Sequence, residues 1–461
     1  MRRSENIEQI IGKVPRTQAD FLDVRIEKTI ETDLLLTNQN AEEVTSSRFG
    51  GIAARIYRNG EWGFASVSRT GPYGIRTAIR NAKEATKSNK GGLEKHFPPL
   101  RAQEPIVETI RFDPKIDLSE LSLEEKATFL KDTQTNVMAD HPKVRSSLTY
   151  SETVGTVRIA NSNGTDVTLP VSKVTVTISV FQRHRPQCEI AQILGGQGGF
   201  EVVQNPRFQN CLMESASQVE RLQRARVFRS GHFCAILDPE TAGVLIHEVL
   251  GHPCEADLFF GNHSRGKKDL SRTIGSPNIT VVDDATIPGL AGSLFFDDEG
   301  TPGSSKTLVS KGKLSGLLTD LANGSKPDLY PTGNSRSQDY RFPPIVRMTN
   351  TFIAPGNWNT EEMFEDTREY VYLRGPSYGQ LDEGSGTFQI VGSEADFVRK
   401  GERVRTSGEV TAVGSVKQTL DNIDAVADDL QFAVDKCRKY GQFIDVTVGG
   451  PHIRISQLHL S

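Results

Sequence analysis

The sequence has few cysteines, and their positions follow no regular spacing. The 461 residues contain five, at 188, 211, 234, 254 and 437. An odd number at irregular intervals argues against a disulfide framework. We expect Cys188, Cys211 and Cys234 to pack as small hydrophobic side chains in the interior.

The sequence also has no long apolar run and no strong excess of charge. No run approaches the length that a membrane span requires, and no apolar region follows Met1-Arg2-Arg3, so we expect neither a membrane anchor nor a signal peptide. The net charge of −4 gives no electrostatic reason to expect binding to nucleic acid or to an anionic membrane. The composition, 36% hydrophobic and 24% charged, is enough for a sizeable core. We therefore expect a cytoplasmic globular protein.

The stretch with the clearest chemical content is His247-Glu248-Val249-Leu250-Gly251-His252. Asp238 is a good N-cap and Pro239 suits the first helical position, so a helix is predicted to begin here. An apolar run, 244–246, leads directly into the histidine and the glutamate. Two imidazoles and a carboxylate on a buried helix need partners, and a metal ion would satisfy all three.

The spacing of the two histidines predicts a distorted helix. Residues four apart lie about 40° apart around an ideal helix, whereas residues five apart lie about 140° apart. Gly251 is permissive, and Pro253 cannot donate a backbone hydrogen bond. A π-bulge or kink between the histidines would place both on one face. We therefore interpret His247 and His252 as metal ligands and Glu248 as the general base. The alternative is a chance pattern in a core helix.

A catalytic zinc usually has three protein ligands and one open position. The nearby candidates for the third ligand are Cys254, Glu255, Asp257 and His263, and the distant candidate is Cys437. Spacing alone does not choose among them.

The remaining sequence predicts an α+β protein of three parts: residues 1–95, residues 107–228 and residues 229–461. The first two are N-terminal α/β modules with antiparallel sheets. Their signals are a hairpin turn at Asn59-Gly60, a helix over 72–88 and a capping box at Ser122 before a helix over 123–139. Strands are predicted at 144–152, 156–160 and 173–181. The third part is a mostly antiparallel β domain that carries the metal-binding helix.

The segment 245–257 resembles the H-E-x-x-x-H signature of the TldD/PmbA metalloprotease family, on its TldD side. The hairpin at 50–68 and the helix after it also resemble the family's N-terminal module. Further similar motifs follow in the same order along the chain: Val281-Val-Asp-Asp284, Asp297-Asp-Glu-Gly-Thr-Pro-Gly303, Pro331-Thr-Gly-Asn-Ser-Arg336, Pro344-Ile-Val-Arg-Met-Thr-Asn-Thr351, Gly384-Ser-Gly-Thr-Phe388 and Cys437-Arg-Lys-Tyr-Gly-Gln442. The resemblance therefore covers nearly the full length.

The resemblance implies a zinc-dependent peptidase with Zn²⁺ held by His247, His252 and Cys437 and with Glu248 as its base. It implies a substrate of unfolded peptide, and a partner that is a PmbA/TldE-like subunit or a second copy of the chain. The sequence departs from the family pattern at Pro253-Cys254 and in the segment Pro376-Ser-Tyr-Gly-Gln-Leu-Asp382. These departures leave the implied ligands intact. They concern the substrate that the resemblance implies and the loop that would help to bind it.

Two other functions are consistent with the same residues. One is a non-catalytic peptide-binding or scaffolding subunit, although such a protein would not need Glu248. The other is a zinc amidohydrolase that acts on a non-peptide amide.

Several charged groups outside the motif are also candidates for binding residues. The acidic pair at 283–284 and the three acidic residues at 297–299 are interpreted as turn or structural hydrogen-bonding residues rather than as a cation site. Arg336 and Arg347 are interpreted as surface or structural ion-pair residues, with contact to the substrate as the alternative. His263 is interpreted as a loop surface residue, with contact to the substrate as the alternative.

Overall fold

The structure is a computed structural model, and it describes residues 7–12, 19–38, 40–88, 98–182, 185–261 and 271–461. Helices and mostly antiparallel sheets are both extensive, which confirms the α+β fold class. His263, which the sequence offers as a candidate third ligand and a loop surface residue, lies outside the described residues.

The N-terminal half is built on one seven-stranded sheet. Its order is β3-β2-β1-β5-β6-β4, and β7 also pairs with β6. The strands are β1 (Phe21–Thr37), β2 (Asn40–Arg58), β3 (Glu61–Val67), β4 (Val107–Thr109), β5 (Val144–Asn161), β6 (Asp166–Gln182) and β7 (Arg185–Gln197). The predicted hairpin turn is confirmed, because Asn59 and Gly60 join β2 to β3 with φ values of 53° and 86°.

The helices of this half are α1 (Ile7–Ile11), α2 (Pro72–Ser88), α3 (Leu123–Ala139) and α4 (Pro206–Leu222). The predicted bounds of α2 and α3 are confirmed. The capping box is present as well: the Ser122 side chain accepts from the Glu125 backbone N–H, and the Glu125 side chain accepts from that of Ser122. Two separate clusters of apolar side chains pack around these helices, one beneath α2 and one between α3, α4 and the sheet.

The sequence prediction for 144–160 was wrong in one respect, because it divided this stretch into two strands. β5 runs unbroken through the gap and pairs along its length with β1. Strands from both predicted N-terminal modules therefore belong to a single sheet, while each module keeps its own helices.

The C-terminal half contains two larger sheets and a two-stranded ribbon. Its strands are β8 (Gly231–Leu237), β9 (Val281–Asp284), β10 (Ser305–Ser310), β11 (Lys313–Leu314), β12 (Ser335–Arg336), β13 (Ile345–Val346), β14 (Asn350–Ile353), β15 (Glu369–Asp382), β16 (Thr387–Arg399), β17 (Glu402–Ser407), β18 (Val410–Ser415), β19 (Ile423–Val426), β20 (Gln431–Lys439), β21 (Gln442–Gly450) and β22 (Ile453–Leu460). Its helices are α5 (Pro239–Ile246), α6 (Ala256–Gly261), α7 (Leu321–Gly324), α8 (Thr360–Asp366) and α9 (Val416–Asp421).

One C-terminal sheet has the order β11-β10-β9-β14-β21-β20, and β12 pairs with β13 in the ribbon. The other has the order β15-β8-β22-β18-β16-β17, with β19 paired to β22 and with β15 also paired to β16. That last pairing joins five of its strands into a closed ring. α5 packs against strands of both sheets, chiefly β21 and β15, and its apolar residues belong to the largest core cluster.

Across the described residues, no helix combines the length and the apolar character needed to cross a membrane. The four cysteines whose side chains the structure describes form no disulfide with one another, as the irregular spacing predicts. Cys211 and Cys234 are only half-buried, so the expectation that they pack in the interior is met only in part. The side chain of Cys188 lies outside the described set.

Candidate metal centre

The metal-motif helix begins as the sequence predicts. The Asp238 side chain accepts a hydrogen bond of 2.8 Å from the backbone N–H of Thr241, and Pro239 occupies the first turn. The residues from Thr241 to Ile246 are all buried. At Gly243 the helix approaches β21 so closely that a Cβ would lie 2.7 Å from the backbone nitrogen of Gly449. The helix is therefore held tightly against the sheet.

A π-helical turn joins the two histidines, as their spacing predicts. It spans His247–Gly251, and the backbone N–H of His252 donates to the carbonyl of His247, five residues earlier. A 3₁₀ turn at His252–Cys254, which contains Pro253, follows directly. The two imidazole ring centres lie 5.0 Å apart, with the ring planes at 83°. The extra residue in the turn thus brings both histidines to the same face.

Gly251 is needed in this turn for space rather than for backbone freedom. Its φ and ψ are −59° and −61°, which any residue adopts readily. A Cβ at this position would lie 2.1 Å from Sδ of Met348, which is itself fully buried. The turn and the segment between β13 and β14 therefore meet at a glycine, because no larger residue fits between them.

Strand β20 brings Cys437 to the two histidines. Its sulfur lies 3.5 Å from Nε2 of His252, and one ligand atom from each of His247, His252 and Cys437 lies within 4.8 Å of the others. Among the described residues this is the one such grouping of three donors. Of the nearby candidates, Cys254, Glu255 and Asp257 do not join it.

The electrostatics of the cluster favour the form of the cysteine that binds metals. Burial would raise the pKa of the Cys437 thiol, but the two imidazoles hold it well below its usual value. Burial would likewise lower the pKa of His252, but the Glu255 carboxylate and the Cys437 sulfur hold it well above its usual value. A thiolate beside two imidazoles is a donor set that zinc prefers.

A buried polar atom at the cluster also lacks a partner. Nδ1 of His247 makes no hydrogen bond to any described residue, although the side chain is 1% exposed. An orphaned ring nitrogen beside a thiolate is costly unless another group binds at the site. The residues present therefore fit a metal ion.

A second layer of charged groups surrounds His252. Its Nδ1 lies 2.9 Å from Oε2 of Glu255, which is completely buried. Lys439 donates to the same oxygen at 3.0 Å and to Oδ1 of Asp257 at 2.8 Å. Burial would raise the pKa of Glu255, but Lys439 and His252 lower it to about 2. Sequence analysis missed Lys439, although its position two residues after Cys437 places both side chains on the same face of a strand.

Among the described residues, neither Arg336 nor Arg347 forms the ion pair that the sequence interpretation expects. Arg347 is fully buried, and its Nη2 donates to the carbonyl of Cys437 at 2.6 Å. Arg336 donates to the carbonyls of Met348 and Asp445 at 2.7 and 2.8 Å. Both guanidinium groups therefore bind main-chain oxygens around the strand that carries the cysteine.

Glu248 is half-buried and lies beside β15. A Cβ at Gly379 would be 3.1 Å from Cγ of Glu248 and 2.9 Å from Cγ1 of Val244. Gly379 belongs to the 376–382 segment in which the sequence departs from the family pattern. A residue of that segment therefore sets the space available to the Glu248 side chain.

The acidic groups at 283 and 297–299 accept hydrogen bonds or pair with cationic side chains. Both oxygens of Asp283 accept hydrogen bonds, including two from Thr349 at 2.7 Å, and Lys306 lies 3.2 Å away. Asp297 accepts from three backbone N–H groups. Glu299 pairs with Arg55 of β2 at 2.9 Å and so links the two halves of the chain.

Comparison with known proteins gives consistent matches over almost the whole chain. Residues 230–461 match the PmbA/TldA metallopeptidase C-terminal domain, residues 22–86 match domain 1, and residues 116–221 match the central domain. A metalloprotease of Methanocaldococcus jannaschii is 33% identical, over 94% of this chain and 96% of its own length. A protein of Saccharolobus solfataricus named zinc metalloprotease TldD homolog is 27% identical, over 97% and 98% of the two chains.

Solved structures share the fold at lower sequence identity. The crystal structure of TldE from Thermococcus kodakarensis superposes with a TM-score of 0.77 at 16% identity, covering 97% of this chain and 98% of that one. A putative modulator of DNA gyrase from Thermotoga maritima gives a TM-score of 0.76 at 18% identity, covering 96% of each chain.

Proposed function

Because the chain belongs to the PmbA/TldD metallopeptidase family, we propose that it is a zinc-dependent peptidase that cleaves unfolded or small peptides. The observation that carries the proposal is the grouping of His247, His252 and Cys437 within 4.8 Å, with Glu248 next to the first histidine. These donors come from a helix and from a distant strand.

The three donors would hold the zinc and leave a coordination position open. A bound zinc ion would lower the pKa of a water molecule in that position and polarise the carbonyl of the peptide. The chain's own residues supply the remaining steps of the reaction.

Glu248 is the proton carrier in this proposal. Its carboxylate takes a proton from the attacking water and then delivers the proton to the nitrogen of the leaving amine. Partial exposure suits this role, because the carboxylate must reach both groups. Gly379 of β15 lies against the side chain and limits the positions that it can adopt.

The edge of β20 supports a preference for unfolded chains. β20 is the last strand of its sheet and carries Cys437, and among the described strands it pairs with β21 alone. An extended peptide could add to its outer edge through main-chain hydrogen bonds, which would give low sequence specificity. A folded substrate has no free extended segment to offer.

A partner subunit of the TldE type, or a second copy of this chain, completes the proposal. The support is the likeness in fold to the TldE structure over almost the full length of both chains. Molar mass in solution, measured alone and after mixing with a TldE-like protein, tests this part.

The test of the catalytic proposal is Glu248→Gln, which removes the base but none of the three donors. We expect about one zinc per chain in both wild type and variant by elemental mass spectrometry, and cleavage of unfolded peptides by the wild type alone. Cleavage retained in the variant would remove Glu248 from its role. Zinc bound without cleavage of any peptide would favour a scaffolding subunit or an amidohydrolase acting on a non-peptide amide.

A further inference from the structure

We propose that Glu255 and Lys439 are positioning residues of the metal centre, an inference that rests on the proposed zinc site. Glu255 would fix the orientation of the His252 ring, and Lys439 would fix Glu255. Neither residue is a ligand in this proposal. Both act through His252, which contacts Glu255 through one ring nitrogen and Cys437 through the other.

The hydrogen bond to Glu255 determines which ring nitrogen of His252 is free to bind metal. An ionised carboxylate only accepts hydrogen bonds, so Nδ1 must carry the hydrogen of the 2.9 Å contact. In the neutral ring, the lone pair then lies on Nε2, the nitrogen that is 3.5 Å from the Cys437 sulfur. A histidine ligand is commonly held in this way by a carboxylate on its other nitrogen.

Lys439 compensates the buried charge of Glu255 and uses all three of its N–H groups. It donates to Oε2 of Glu255 at 3.0 Å, to Oδ1 of Asp257 at 2.8 Å and to the carbonyl of Val346 at 2.9 Å. The Glu255 side chain has no exposed surface and that of Lys439 is 5% exposed. Without the lysine, the carboxylate would be an uncompensated charge in the interior.

The same ion pair joins the two elements that supply the ligands. Glu255 follows His252 by three residues at the end of the metal-motif helix, and Lys439 follows Cys437 by two residues on β20. The contact between them therefore connects the end of the helix to β20, a few residues beyond His252 and Cys437. The pair can set both the direction of the His252 ring and the separation of the ring from the cysteine.

The experiment compares zinc affinity in the full-length wild type and in Glu255→Gln, measured by competition with a chelator. The neutral amide keeps the size of the side chain but removes the charge that orients Nδ1–H. We expect zinc affinity to fall by about 10- to 100-fold. Co²⁺ in place of zinc should give a changed absorption spectrum in the variant, because the spectrum reports the geometry of the donor set.

A matched control separates positioning from a general loss of stability. Lys126 and Glu152 form a buried Lys–Glu pair of 2.7 Å in the N-terminal half. We expect Glu152→Gln to lower the stability of the metal-free chain without changing zinc affinity or the Co²⁺ spectrum. Glu255→Asp, which restores the charge on a shorter side chain, should recover part of the affinity, and it decides the question if Glu255→Gln does not fold.

The outcomes distinguish this inference from the proposed function. Unchanged zinc affinity and an unchanged Co²⁺ spectrum in the Glu255 variants would make the pair a structural ion pair and overturn the positioning role, while the zinc site would stand. A wild-type chain that binds neither zinc nor Co²⁺ would overturn the proposed function, and this inference with it.

Discussion

Replacement of Gly251 by alanine tests how the π-helical turn is held. The backbone at this position is ordinary helix, so alanine carries no conformational penalty and would raise helix propensity by about 1 kcal/mol. The added methyl would nevertheless lie 2.1 Å from Sδ and 3.1 Å from Cε of Met348. Normal carbon contacts need about 3.5–4.0 Å. Either the turn or the methionine must therefore move by more than an ångström.

The expected cost follows from the surroundings of the methionine. Met348 has no exposed surface, so its side chain cannot swing into solvent. Overpacking of this kind costs typically 1–3 kcal/mol, which exceeds the gain in propensity. Because His252 is the next residue, displacement of the turn also moves a proposed ligand, and we expect zinc affinity to fall by at least about 10-fold, the lower end of the effect of altered ligand support.

Denaturant unfolding of the metal-free chain and zinc competition with a chelator measure the two effects. Gly408→Ala is the control, because a Cβ there meets nothing within 4 Å and the backbone is not left-handed. The double variant Gly251→Ala/Met348→Ala restores space at the contact, so its effects should be less than the sum of the two single changes. If Gly251→Ala matches the control in stability and zinc affinity, then packing against Met348 does not hold the turn.

Three further predictions concern the donors, the base and the core. Cys437→Ala should weaken zinc binding by more than about 100-fold, which is more than the loss expected when a residue that supports a ligand is changed. If elemental mass spectrometry shows that the variant retains all of its zinc, Cys437 is not a ligand. Gly379→Ala should lower kcat about 10- to 100-fold by displacing Glu248, with zinc content unchanged; equal kcat would show that the strand does not constrain the base. Asp283→Asn should cost about 3–5 kcal/mol, because it leaves the Lys306 charge unpaired. Burial would raise the pKa of Asp283, but Lys306 and the hydrogen bonds that Asp283 accepts lower this pKa. The stability that the ionised carboxylate contributes is therefore complete above the pKa of the unfolded state, and it is lost as the pH falls through the lower pKa of the native state. Lowering the pH should therefore reduce the unfolding free energy of the wild type more steeply than that of the variant. Equal slopes of unfolding free energy against pH would contradict the stabilising role of the ionised Asp283.

The features that the sequence predicted correctly are those that depend on neighbouring residues. The N-cap at Asp238 and the capping box at Ser122 involve contacts only three residues apart, and the turn at Asn59-Gly60 needs only two residues with positive φ. The π-helical turn was also predictable, because two histidines five residues apart cannot share a face of a regular helix. In each case the physical cause is local.

The contacts that complete the site depend on residues far apart in the chain. Cys437 meets His252 across 185 positions, and Lys439 reaches Glu255 across 184. Spacing could not choose Cys437 from the nearby candidates. Resemblance to a family suggested it, and in the folded chain β20 carries its sulfur to 3.5 Å from Nε2 of His252.

The sequence by itself determined the donor types, the distorted helix and the α+β character, since these follow from local propensity, spacing and side-chain chemistry. Only the tertiary structure decided that one sheet unites the two N-terminal modules, that Gly251 is required because of Met348, and that Arg347 binds the carbonyl of Cys437. These features arise from strand register and from the space left between packed elements, which no local pattern encodes.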